Sequence, residues 1–190
     1  SQVRSQILST AARLSSAEDA LRLIDETVLP QSDLDDPNIP AMLWFVIERH
    51  CAKHADLIIT NLEDESLWER PVFKTYITPR LIRRFAEAGA RRDLLNCARL
   101  LELAPTEEAE AALLSGFEQA FEGRVPPPFP AGLLAQLGEG SLSIQIRQGR
   151  AEALAKGLEI LRNPGTASAD QASVIHAFGT YIHPPAIAHL

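Results

Sequence analysis

Apolar residues recur at every third or fourth position along nearly the whole chain, and strand-like alternation with polar residues is almost absent. That spacing lines up one apolar face on each of a series of helices, so an all-α fold is expected. Helix-opening and helix-ending residues fall between the apolar runs. Ser15 with Glu18 reads as a capping box for "SSAEDALRLIDETVL", and Pro40 stands where a first-turn proline opens "IPAMLWFVIERHCAKH". Pro79 should kink or divide "PVFKTYITPRLIRRFAEAG", and Gly89 should stop it. "RRDLLNCARLLELA" is apolar around most of its circumference, which predicts helices on two sides of it. Thr106 reads as the N-cap of "TEEAEAALLSGFEQAFEG", with Leu113, Leu114, Phe117 and Phe121 inward and Gly123 at its end.

"RVPPPFP", residues 124–130, holds four prolines in seven residues and reads as an extended connection within a single helical domain spanning 1–190. The helices beyond it are "PAGLLAQLG", a short "SLSIQI", "RAEALAKGLEILRNP" with Leu154, Leu158 and Leu161 on one face, and a last one with Val174, Ile175, Phe178 and Ile182 on one face. A further apolar run, Ile187 to Leu190, opens after Pro184 as the sequence stops, which suggests a piece of a longer protein. If that run starts the second helix of a pair, the face of Val174 and Phe178 lacks part of its cover and should associate weakly with another copy.

At 190 residues, 46% hydrophobic and 23% charged, the chain has the balance of a folded protein with a substantial core. A formal net charge of -7 and a pI near 5.2 disfavour a nucleic-acid surface, which needs clustered Lys and Arg. No apolar run approaches the ~20 residues that span a bilayer, and the start lacks an apolar signal core. Cys51 and Cys97, the only cysteines, lie inside apolar helical runs and are expected as separate, buried, reduced thiols. No Cys-x-x-Cys-His is present, so no haem attaches here, and no cofactor site is read in the chain.

Helix pairs in series suggest an internal repeat, because each pair buries its second face only when a neighbour stacks on it. "HAFGTYIHPPAIAHL" resembles the HEAT-repeat pattern through Phe178-Gly179, Pro184 or Pro185, and Ala186-Ile187, with His183 in place of the usual turn Asp. The stretch before it has the same layout of helix, Asn163-Pro164 turn and helix. From Pro37 onward, "DPNIPAMLWFVIERH", "LWERPVFKTYITPRLIRRFAEAGARRDLLNCARLLELAP" and "LLSGFEQAFEGR" resemble the helical middle of large exported membrane-bound dehydrogenase-like proteins. In that family a sugar-dehydrogenase-type propeller precedes HEAT-like repeats and a c-type cytochrome domain follows. The resemblance implies an exported or periplasmic location, and an α-α superhelix of antiparallel helix pairs, HEAT- or armadillo-like, between those modules. No catalytic residue carries over.

Four constellations bear on chemistry. His50 and His54 lie one helical turn apart, a spacing that presents two imidazoles to one metal; no third ligand is near, and two polar histidines at a helix end explain them as well. "SDLDDPN" gathers Asp33, Asp35, Asp36 and Asn38, hard oxygen donors that suit calcium, although an acidic cap for the helix of Pro40 accounts for the same residues. Arg80, Arg83, Arg84, Arg91 and Arg92 form a basic set for an acidic protein partner, set against a solvated face paired through Glu87 and Asp93. Trp44, Phe45 and Trp68 read as core aromatics before they read as a docking surface.

No nucleophile stands in a signature such as Gly-x-Ser-x-Gly. The leading expectation is a non-catalytic HEAT-like scaffold that orients neighbouring domains or binds a protein partner, with no nucleic acid and no membrane insertion. The alternatives are a part of an oxidoreductase that contributes surface to an electron-transfer or substrate site, and a small metal-binding helical domain.

Overall fold

Helix boundaries fall where local chemistry sets them. The computed structural model describes residues 2–27, 36–137 and 142–180; within these there are eleven α-helices and no strand. They are α1 (Gln2–Ala11), α2 (Ala17–Thr27), α3 (Ile39–Cys51), α4 (Ala55–Asn61), α5 (Thr78–Ala88), α6 (Arg91–Glu102), α7 (Glu107–Gln119), α8 (Ala131–Leu137), α9 (Leu142–Arg147), α10 (Ala151–Arg162) and α11 (Ser168–Thr180). Asp33, Asp35, Ile182, His183, Pro184, Pro185 and Ala186 to Leu190, singled out from the sequence, lie outside the described residues.

Thr106 caps α7, its Oγ1 accepting the Ala109 N–H at 3.2 Å, and Gly89 closes α5 in the left-handed region at φ 67°. The cap of α2 is Ser16 rather than Ser15: its Oγ accepts the Asp19 N–H at 3.1 Å. The cap therefore falls one residue later than the spacing of Ser15 and Glu18 predicts, as a single hydroxyl cap. Pro40 lies in the first turn of α3, where its missing N–H leaves no bond unmade.

Pro79 acts on the turn before it. An α-helical bond from residue 79 to the Thr75 carbonyl is impossible, and the proline ring crowds that carbonyl. The backbone widens into a π-helical turn, Phe73–Ile77, in which the Thr78 N–H reaches Phe73 O. Side chains serve the loosened carbonyls. Thr78 Oγ1 donates to Phe73 O at 3.1 Å, and Arg80 Nη1 donates to Tyr76 O at 3.0 Å.

Most helices contact a chain neighbour, a helix two positions along, or both. Among odd-numbered helices, α1 lies on α3, α3 on α5, α5 on α7, and α9 on α11; among even-numbered ones, α4 lies on α6 and α6 on α8. The α5–α7 contact is the most extensive, and Gly116 makes it possible. A Cβ there would sit 2.1 Å from Pro79 O, so only a hydrogen fits between the two backbones. The proline-rich connection is held by Phe129, whose ring lies 5.4 Å from Phe117 and 5.6 Å from Phe121, pairings worth ~0.5–1.5 kcal/mol each beyond their burial.

The core has two parts. The larger extends from Leu8 to Ile144; the smaller joins Ile146, Ala153, Leu154, Val174, Ala177 and Phe178. α9 belongs to both, and Ile175 faces outward, 41% exposed, contrary to its expected place with Val174 and Phe178.

Candidate functional site

The five arginines of the sequence-based set point in three directions. Arg84 turns toward α3, its Nε 3.6 Å from Glu48 Oε1. Arg92 donates to the Ala52 carbonyl at 3.1 Å, and Arg91 is exposed beside it at the start of α6. Only Arg80 and Arg83 meet in one place, an open groove of about 510 Å³ between the π-turn with α5 and α7.

This groove follows from small residues on adjoining helix faces. Thr75 and Pro79 on one side and Ala112 and Ser115 on the other line it, with Lys74, Arg80, Arg83, Glu108 and Gln119. The Arg80 guanidinium lies 3.5 Å above the centre of the Tyr76 ring while donating to the Tyr76 carbonyl, so the charge is held in place. Arg83 Nε pairs with Glu87 Oε1 at 2.8 Å, and its Nη1 reaches Gln119 Oε1 at 3.5 Å. Glu108 is held below the usual carboxylate range by the Thr106 hydroxyl, its own backbone N–H and Lys74.

Two further grooves lie between odd-numbered helices. One, about 510 Å³, separates α1 from α3 and is lined by Leu8, Ala12, Ala41, Met42 and Phe45 among others. Phe45 is 57% exposed, which removes it from the core where the sequence reading placed it. Trp68 is buried with its Nε1 donating to Leu62 O at 2.8 Å, and Trp44 is half-buried. The other, about 650 Å³, lies between the end of α7, α9 and α11, and is lined by Glu118, Glu122, Ser143, Arg147, Ser173 and His176 among others.

Arg147 is 4% exposed, and burial lowers its pKa against the opposing pull of Glu118 and Glu122. The sequence reading missed it. The available signal was its place three residues after Ile144, on the inward side of a helix so short that most of its circumference is covered.

The metal candidates come apart. His50 is 5% exposed, with its Nε2 lacking a hydrogen-bond partner and its ring centre 6.0 Å from that of His54. It stands in the last turn of α3, as the sequence suggests, but as a buried imidazole and not an exposed polar one. Burial pushes its pKa down, with His54 and Arg49 adding to the shift and Glu18 opposing it. Asp36 is occupied as a cap for α3, accepting the Asn38 N–H at 2.9 Å and the Ile39 N–H at 3.2 Å, which holds its carboxyl below the usual range. Among the described residues no group of three or more His, Cys, Asp or Glu is placed to hold a metal ion. Cys51 and Cys97 are free and buried; burial pushes the Cys51 thiol up to about 11 and that of Cys97 further.

No helix among the described residues is long and apolar enough to cross a membrane. No protein-family model, curated protein or solved structure matches the chain.

Proposed function

We propose that this chain is a non-catalytic, HEAT-like helical-repeat scaffold whose odd-numbered helices present a protein-docking face, with the α5–α7 groove receiving an acidic segment of a partner. One observation carries the reading: among the described residues three open grooves, α1–α3, α5–α7 and α7–α9–α11, lie between odd-numbered helices, whereas the pocket that reaches α2 and α4 is a small apolar cavity of about 30 Å³. Repeat arrays of helix pairs expose such a grooved layer and bind along it. Packing two positions along the chain supports the same architecture. The resemblance to dehydrogenase-like proteins adds a context, a spacer between a propeller and a c-type cytochrome domain.

On a chain of net charge -7, Lys74, Arg80 and Arg83 make this groove a local positive site, and the fixed Arg80 loses little freedom on binding. The test is fluorescence anisotropy with a labelled, blocked polyglutamate peptide at several salt concentrations. Binding should weaken with salt and be lost in Lys74→Glu/Arg83→Glu, while Arg91→Glu/Arg92→Glu, outside the groove, retains it. Equal loss in both double variants would reduce the effect to net charge and reject the site.

A further inference from the structure

Arg147 sets an electrostatic problem that the described residues do not solve. Its side chain lies in the cleft between α7, α9 and α11 with 4% exposure. Nη1 donates to the Glu118 carbonyl at 3.3 Å, Nε has no hydrogen-bond partner and is out of reach of water, and no carboxylate among the described residues forms an ion pair with it. A buried guanidinium with an unmade donor is costly, and such a group is normally satisfied by a carboxylate taken side-on. The walls narrow the choice of ligand. Glu118 and Glu122 disfavour a multiply charged anion such as phosphate, and Glu122 is exposed where a cation can meet it. Ser173 and His176 add polar groups on the α11 side, and Ile175 adds an apolar one.

We propose that this cleft binds a carboxylate carried beside a positive charge: an Asp or Glu side chain of a protein segment with Lys or Arg next to it. The carboxylate pairs with the Arg147 guanidinium where it lines the cleft, and the neighbouring cation lies against Glu122. This stands apart from the α5–α7 groove, whose cations call for a segment that is acidic throughout.

Arginine Nε–H resonances of ¹⁵N-labelled protein, recorded at mildly acidic pH, give a direct readout. The probes are a blocked peptide alternating Glu and Lys, blocked polyglutamate, and inorganic phosphate. The alternating peptide should move the Arg147 resonance saturably; phosphate and polyglutamate should leave it in place. Arg147→Met should weaken that peptide's binding about tenfold or more, since hydrogen bonds to a charged group are lost. Glu122→Gln, at an exposed position that keeps the fold intact, should weaken it up to about fivefold without moving the Arg147 resonance of the free protein. Lys74→Glu/Arg83→Glu should change nothing here, which separates failure of this site from failure of the α5–α7 groove. An equal response to phosphate, no response to the alternating peptide, or undiminished binding by Glu122→Gln would each overturn the proposal.

Discussion

Replacing Gly116 with alanine puts a methyl carbon 2.1 Å from Pro79 O, 2.8 Å from Pro79 C and 2.9 Å from Pro79 Cα. All three atoms are backbone, so no side chain can swing aside. To restore an ordinary carbon–oxygen contact of about 3.3 Å, α5 and α7 must part by roughly an ångström. The surrounding Leu81, Ile82, Phe85, Leu113 and Phe117, all buried, then lose contact together. Overpacking of this kind costs about 3 kcal/mol or more, and the better helix propensity of alanine returns about 1 kcal/mol. The net loss should be at least about 2 kcal/mol, equivalent to a Tm lower by roughly 4–8 °C for a chain of this size. Urea unfolding followed by far-ultraviolet circular dichroism measures it. Gly132→Ala is the control, because its Cβ would meet only Leu95 Cδ2 at 3.7 Å, an ordinary contact, and the exchange should be neutral or stabilising by about 0.5 kcal/mol. If Gly116→Ala unfolds at the same urea concentration as Gly132→Ala, the close approach of α5 and α7 is wrong, and with it the origin of the groove between them.

Burial of both thiols predicts that neither Cys51 nor Cys97 reacts with a disulfide reagent in native protein, whereas two thiols titrate after denaturation without reductant; rapid native labelling would reject this. The Cys51 thiol rises from 9.0 to about 11 on folding, so the unfolded chain loses its proton first and stability should fall as pH rises through that window, less steeply in Cys51→Ala. His50 titrates in the opposite sense. Its pKa lies below the ordinary 6.5 in the folded state, so its contribution is present above that pH and is lost as pH falls, and His50→Gln should flatten the decline measured by urea melts below it.

Local backbone chemistry was legible where one residue decides it. Thr106, Gly89 and Pro40 act through their own hydroxyl, missing Cβ or missing N–H, and each does so at the position read for it. Ser15 and Ser16 differ only by where the chain turns into the helix, which the sequence leaves open. Pro79 announced a disturbance, but the π-turn also required Thr78 and Arg80 to meet carbonyls outside the α-helical pattern. The arginine set was read as one patch because the residues are close in sequence; helix rotation and the Gly89 turn send them apart. Gly116 carries no sequence signal of its importance, since only the partner backbone gives its missing side chain meaning. Phe45 shows the converse: an aromatic in an apolar helix still faces out when its neighbours Leu43, Val46 and Ile47 fill the inward side.

Contacts one or two elements along the chain also bear on how quickly the native state is reached. Helices pack on elements one or two along the chain, so the entropy spent in bringing partners together is smaller than for elements distant in sequence. Folding at the fast end for a domain of this size is therefore expected, with helices added to a growing edge instead of waiting for distant segments to meet. The division of the core at α9 sets where that growth pauses. Ile144 completes one core while Ile146 begins the next, so the α9–α11 unit should form last, and under a pulling force it should be released first, as a single step.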